Sequence, residues 1–247
     1  MRWISLAALA LVVTLASLFV LTPASAQVPD SAVAGKVICI DPGHGGAEAG
    51  AVYDKRGRPE DRWTLYEKEI NLDVAQALQG LLVGDGATVV MTRKTDIDVV
   101  VYDPKPGTID RVDICNGDIP EGVRADITVS VHTNSTYSAR WDGSMTLVAK
   151  DSDWSLAEVI HPIMYQGLKE NWEGLFTDYG VRQDVWTIPL YTDMPAVILE
   201  PVFMSNHDEA EALKPTIEDA PDGRRAQIAQ VAYEGIVAYF ESIKANP

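Results

Sequence analysis

Apolar residues along this chain fall into two rhythms, short uniform runs and longer stripes spaced by three and four residues. Val37 to Ile40, Ala87 to Met91, Ile127 to Val131 and Ala196 to Leu199 are uniform runs rich in β-branched side chains, and Gly143 to Ala149 alternates. Such segments, bounded by turn residues, predict strands, the uniform ones buried on both faces. Between them lie helical stripes. Ile70, Val74, Ala77, Leu78 and Leu81 form the first, which Gly84 stops. Leu156, Ala157, Ile160, Ile163, Met164, Gly167 and Leu168 form the second, and Ile228, Val231, Ala232, Gly235, Ile236, Tyr239 and Phe240 form the last. These spacings predict amphipathic helices. A further helical turn is expected around Asp110 to Asn116, and a short acidic helix opens after His207. Strands alternating with helices predict a single α/β domain, a mainly parallel sheet of about six strands with helices on both faces. Two stretches break the rhythm, Asp54 to Trp63 and Val99 to Thr108, and both read as loops. The first precedes Glu67 and is a candidate rim for a cleft.

The N-terminus follows a different pattern. Met1-Arg2-Trp3 leads into an uncharged run from Ile4 to Leu21, and Ala24-Ser25-Ala26 supplies the small residues of a cleavage site. Residues 1–26 read as an export signal or, since roughly 20 apolar residues span a bilayer, as a retained membrane anchor. Residues 27–35 are then a short linker and 36–243 a catalytic domain. The expected location is periplasmic, cell-wall-associated or extracellular. With 20 basic and 36 acidic residues the net charge is −16, and such a surface repels nucleic acid and anionic lipid. No nucleic-acid partner is expected, no membrane contact beyond a possible anchor, and no oligomer. Cys39 lies in a predicted strand and Cys115 in a predicted helix. In an exported protein they could form a disulfide, and packing as small hydrophobes fits equally well.

The candidate chemistry sits at the ends of apolar runs. His44 follows VICID, His132 follows ITVSV, Glu200 follows AVIL, and Glu67 opens the first helix. Strand ends of an open α/β sheet are where ligands bind. Two imidazoles and one carboxylate are a ligand set that zinc accepts while leaving a position for water. A second carboxylate beside the metal can take the water's proton and return it to a leaving amine. An ionised carboxylate such as Glu200 at the end of a buried strand needs a partner. His161 and His207 read as structural or solvated.

The surrounding words carry a resemblance. DPGHGG at 41–46 with Gly50-Ala51-Val52, EKEINL at 67–72, MTR at 91–93, Arg111 with Asn116, ADITVSVHTN at 125–134 and PAVILEPVFMSN at 195–206 follow in order. Together they resemble the zinc-dependent N-acetylmuramoyl-L-alanine amidases, from about Lys36 to Phe240. The resemblance implies one Zn2+ per chain on His44, Glu67 and His132, with Glu200 as the catalytic carboxylate. It implies peptidoglycan or muropeptide substrates, cut at the amide between N-acetylmuramic acid and L-alanine. Arg111, Asn116 and Asn134 would support the site. The chain departs from the family pattern at Pro201-Val202 and at Glu48-Ala49. The competing readings are a zinc peptidase on ordinary peptides and a non-catalytic wall-binding protein of the same fold. The interval from His132 to Asp153 has no room for a long helix that would block the metal.

Overall fold

Five strands arise from the five apolar runs. They are β1 (Val37–Pro42), β4 (Thr88–Met91), β5 (Ile127–Val131), β6 (Gly143–Val148) and β8 (Ala196–Glu200). The computed structural model describes residues 31–56, 58–99, 107–118, 122–170, 172–215 and 223–245. The expected leader at 1–26, residues 27–30 of the linker and residues 100–106 of the second loop lie outside them. Among the described residues, no helix is long and apolar enough to cross a membrane. Ala32 and Val33, in the stretch expected to be a linker, are packed into the core.

The three helical stripes become α1 (Glu67–Gly84), α3 (Trp154–Lys169) and α6 (Arg224–Ala245). The turn around Asp110 is α2 (Thr108–Asn116), closed by Gly117 at φ 75°, a left-handed cap that glycine adopts without strain. α5 (His207–Ala212) is capped by the Asn206 side chain, which accepts from the backbone N–H of Asp208 and Glu209.

The strands form a six-stranded sheet in the order β4-β1-β5-β8-β6-β7, where β7 is Thr177–Gln183. All neighbours are parallel except β6 and β8. The sequence pattern missed β7 because TDYGVRQ is a half-exposed edge strand without regular alternation. It also missed α4 (Thr187–Tyr191), which is too short to show a period. The stretch 54–63 is not simply a loop, because its ends are paired. β2 (Val52–Lys55) and β3 (Trp63–Tyr66) form an antiparallel hairpin around a helical turn at Pro59–Asp61. Trp63 stacks on Tyr53 and lies under Lys214, and Lys55 pairs with Glu211 of α5. β3 runs straight into α1, so the hairpin fixes where Glu67 begins its helix.

The strand order reverses between β1 and β5. From β1 the chain crosses through α1 to β4 on one side, then returns through α2 to β5 on the other. Right-handed crossovers in opposite directions put the two helices on opposite faces. On one face Ile38, Ile40, Val129, Val131, Val197 and Leu199 meet the apolar stripes of α1, α3 and α6. On the other, Cys39 meets Cys115 of α2 in a small cluster with Ala125 and Met194. The two cysteines form a disulfide, which settles the open question in favour of the covalent link.

Candidate metal centre and active site

His44, Glu67, His132 and Glu200 come together at the carboxyl edge of the sheet, at the reversal between β1 and β5. Crevices at such switch points are the general ligand sites of open α/β sheets. Register accounts for part of this. Val131 pairs with Leu199, and the His132 N–H donates to Leu199 O at 3.0 Å, which places His132 and Glu200 side by side on the α2 face.

His44 reaches the site through a strained loop. Its φ is 60°, in the left-handed region where side chains other than glycine's are strained. Gly43 before it must be glycine, because a Cβ there would stand 2.3 Å from His132 Nε2. Gly50 must be one as well, since its φ is 68° and a Cβ would meet His44 Cδ2 at 2.6 Å and Glu67 Oε2 at 2.7 Å.

Glu67 is the centre of the group. Its Oε2 lies 3.2 Å from His44 Nε2 and its Oε1 lies 3.0 Å from His132 Nδ1. The carboxylate also accepts from the N–H of Ala51 at 2.8 Å and of Thr133 at 3.1 Å. Asn71, one helical turn on, donates to Oε1 at 3.3 Å and accepts from the Thr133 hydroxyl at 2.9 Å. Burial pushes the Glu67 carboxyl up, but hydrogen bonds from the two imidazoles outweigh it and hold the group well below the usual carboxylate range. Burial favours neutral His132, yet the Glu67 hydrogen bond and the charge of Glu200 push it up to about 9. Those proton-bound contacts are what a cation would replace, since ligands must be deprotonated.

One donor atom from each of His44, Glu67 and His132 lies within 4.8 Å of the others, so the three could hold a metal ion. That spread suits a small cation bound at about 2 Å from each donor. Glu48 Oε1 stands 3.1 Å from His44 Nδ1 without the alignment of a hydrogen bond. A carboxylate there can orient a ligating imidazole from behind.

Glu200 differs from Glu67 in that no donor among the described residues reaches its Oε2, which is buried. Burial raises its carboxyl to about 7, with His132 and His44 opposing and Glu67 assisting. A carboxyl near neutrality can both accept and release a proton. The Pro201-Val202 departure leaves it in place, with Val202 packed into the core and its carbonyl accepting from the Asn134 N–H at 2.9 Å.

Support comes from the α2 face. Asp41, almost fully buried, accepts from Thr92 Oγ1 at 2.6 Å, Arg111 Nη1 at 2.6 Å and Ser130 Oγ at 2.7 Å. Burial raises the carboxyl, but the Arg111 guanidinium and the two hydroxyls prevail and hold it below its usual range. Arg111 also donates to the carbonyls of Pro42 and His44, and Arg93 to those of Pro42, Gly43 and Lys68. Two guanidiniums thus hold the loop that carries His44. Asn116 fixes the chain after α4 by donating to Tyr191 O and accepting from the Asp193 N–H. Sequence reasoning singled out Arg111 and Asn116 but missed Arg93, Asn71 and Thr133, although the motifs MTR, EKEINL and ADITVSVHTN contained them.

His161 lies away from the site, between Thr146 Oγ1 at 3.0 Å and Asp178 Oδ1 at 2.8 Å. His207 meets the Tyr53 hydroxyl at 2.7 Å. The four site residues open into a cavity of about 450 Å³, whose wall continues through Thr133, Asn134 and Ser135 to Leu147, Trp186, Ile188 and Ile198.

A mainly parallel α/β sheet with a His–Glu–His group at its carboxyl edge defines the class. The sequence profile of the N-acetylmuramoyl-L-alanine amidase family matches residues 38–238. The chain therefore belongs to that family. It is 29% identical over 205 residues to the probable cell wall amidase LytH of Staphylococcus saprophyticus, covering 83% of this chain and 58% of the relative. It is 28% identical to the germination-specific N-acetylmuramoyl-L-alanine amidase of Bacillus subtilis, covering 87% of this chain and 84% of the relative. Among solved structures, the catalytic domain of CwlV, an amidase of Bacillus (Paenibacillus) polymyxa, superposes with a TM-score of 0.65 at 28% identity. That match covers 83% of this chain and 98% of the other. The chain thus spans only 58–64% of LytH proteins from S. saprophyticus and S. epidermidis.

Proposed function

We propose that this protein hydrolyses the amide between N-acetylmuramic acid and the L-alanine of the stem peptide in peptidoglycan, using one zinc ion per chain. His44, Glu67 and His132 would hold the metal. A zinc ion there supplies a Lewis acid for the scissile carbonyl and a water of lowered pKa.

The observation that carries the reading is Glu200, a buried carboxyl with an unpartnered oxygen beside three metal donors, in a chain of this family. Glu200 takes the proton of the attacking water. It then gives that proton to the departing alanine nitrogen. Asn71, Ala51 and Thr133 keep Glu67 oriented while this happens, and Arg111 and Arg93 keep the His44 loop in place. The names of the relatives support action on the cell wall, with residues 1–26 as export signal or anchor and 36–243 as the catalytic domain. Among the described residues, no helix occupies the interval between His132 and Asp151, which supports activity without removal of a blocking segment.

The test is Glu200→Gln, which keeps the shape and abolishes proton transfer. Zinc content should stay at one per chain, while release of stem peptide from purified muropeptides falls on the order of 10²-fold or more. Near-wild-type turnover would remove Glu200 from the chemistry. Cleavage within the peptide instead of at the sugar would favour the peptidase reading.

A further inference from the structure

The loop that joins β5 to β6 lines the cavity through Asn134 and Ser135 and then carries two aromatic side chains into solvent. Tyr137 is fully exposed and Trp141 is 51% exposed. The Trp141 ring lies 6.0 Å from that of Tyr179 on β7, and Tyr179 lies 5.3 Å from Phe203. Phe203 is buried and bridges to Asn134, so a row of rings runs from the cavity wall outward. None of these aromatic residues belongs to either hydrophobic cluster of the fold. The row is held in place by its own devices. Between Ser144 and Thr146 of β6 the facing strand advances from Asp178 to Val181, one residue more, and such a bulge re-aims the side chains within it. The bulge contains Tyr179 and Gly180, whose φ of 72° suits glycine. Asp178 Oδ1 accepts from the Gly180 N–H at 2.8 Å, and Arg182 Nε donates to Tyr179 O at 2.8 Å. The loop is tied down as well, since the Thr136 N–H donates to Ser205 Oγ at 3.0 Å and the Ser138 N–H donates to Thr136 Oγ1 at 3.0 Å.

We propose that Trp141 and Tyr179 form a stacking platform for the glycan strand and hold a sugar next to the muramoyl residue under attack. The inference rests on the amidase reading above and adds to it a site for a part of the polymer that is not cut. β7 lies two strands from β8, about 10 Å at the spacing of paired strands. That separation puts the platform outside the contacts of the scissile amide and within reach of a neighbouring sugar. A pyranose ring with equatorial substituents presents C–H bonds on its faces, and these fit the electron-rich face of an aromatic ring while the hydroxyls at the rim stay in water. Charge favours the same occupant. The net charge of −16 opposes an anionic partner, and the Arg182 guanidinium beside Tyr179 opposes a cationic one. A strand of N-acetylated sugars is neutral, and the continuity of the row with the cavity wall leads such a strand to Glu200.

The experiment titrates the zinc-loaded protein with the hexamer of N-acetylglucosamine, a probe with sugar and no peptide, by calorimetry and tryptophan fluorescence. Binding should saturate. Trp141→Ala and Tyr179→Ala should each weaken it about tenfold or more, as truncation of an aromatic anchor does, while Trp141→Phe and Tyr179→Phe keep a ring and retain most of it. Turnover gives a second reading. The wild type should show a higher kcat/KM on a tetrasaccharide bearing stem peptides than on a single muramoyl dipeptide, and Trp141→Ala should bring that ratio toward one through KM. Because the ratio is taken within one preparation, a partly folded variant still reports. A wild type that does not bind the hexamer overturns the platform and leaves amide hydrolysis standing. So does equal hexamer affinity in the wild type and both alanine variants. Self-association that Trp141→Ala abolishes, without sugar binding, would assign the face to a second copy of the chain and overturn the platform too. Failure to cleave any muramoyl peptide with zinc bound overturns the proposed function, and hexamer binding that needs Trp141 would still support the platform.

Discussion

The sheet face under α1, α3 and α6 presents Ile38, Ile40, Val129, Val131, Val197 and Leu199, whereas the face under α2 presents Cys39, Asp41, Thr128 and Ser130. The same strands supply both, one residue apart, because side chains alternate across a strand. The first face draws its stability from many interchangeable apolar contacts. The second has too little apolar surface for that. A disulfide and the Asp41–Arg111 ion pair hold its helix instead, and that helix carries Arg111 to the His44 carbonyl. Its polarity is thus tied to the loop that brings His44 to the sheet edge.

The largest break in this comparison comes from setting Arg111→Met against Leu78→Ala. Removing one partner of a buried ion pair costs about 3–5 kcal/mol, and truncating a fully buried leucine costs a similar 2–5 kcal/mol. Denaturant unfolding should therefore score the two variants alike. Zinc competition should separate them, with Arg111→Met weakening affinity on the order of 10–100-fold, as loss of an outer partner does, and Leu78→Ala leaving it near wild type. Equal zinc affinity in both would mean that the two faces do not divide their labour in this way.

Replacing both cysteines by alanine sharpens the same point. The bridge joins residues 76 apart in sequence, and closing a loop of that order is worth about 2–4 kcal/mol. The double variant should lose that much stability, measured by unfolding with and without reductant. Reductant should destabilise the wild type and leave the variant unchanged. Wild-type insensitivity to reductant would show that packing of α2, and not the link, holds that face.

The smallest effect contrasts two buried arginine–carboxylate pairs. Asp41 is held below its ordinary range, so its contribution is present above about pH 4 and lost as pH falls through the folded value. Glu209 of α5 accepts from Arg224 of α6 at 2.5 and 3.0 Å, and Asp142 is its neighbour. Burial raises Glu209 to about 7, with Arg224 opposing and Asp142 assisting. A raised carboxyl contributes stability that is full below its unfolded pKa, near 4.5, and lost as pH rises through about 7. Glu209→Gln should thus flatten the decline in unfolding free energy between pH 4.5 and 7 by about 1–3 kcal/mol. It should leave the acid limb, where Asp41 titrates, in place. An unchanged slope would mean that Arg224 keeps Glu209 ionised.

Much of the frame was legible in the residues. Uniform β-branched runs became β1, β4, β5 and β8, and the three apolar stripes became α1, α3 and α6, because periodicity reports the burial of each element from its own residues. β7 and α4 escaped because a half-exposed edge strand and a five-residue helix bury too little to leave a period. The donor set was legible as well, since imidazole and carboxylate groups at the ends of buried strands are rare enough to stand out. The sequence by itself determined the elements, the alternation of parallel strands with helices, and which side chains were chemically fit for a metal and a base. Tertiary structure decided the rest: that Cys39 meets Cys115, that Asn71 and Thr133 hold Glu67 while no donor among the described residues reaches Glu200 Oε2, and that Leu147, Ile188 and Ile198 line a cavity. Each of these is a relation between segments far apart in the chain, and no local pattern encodes distance in space.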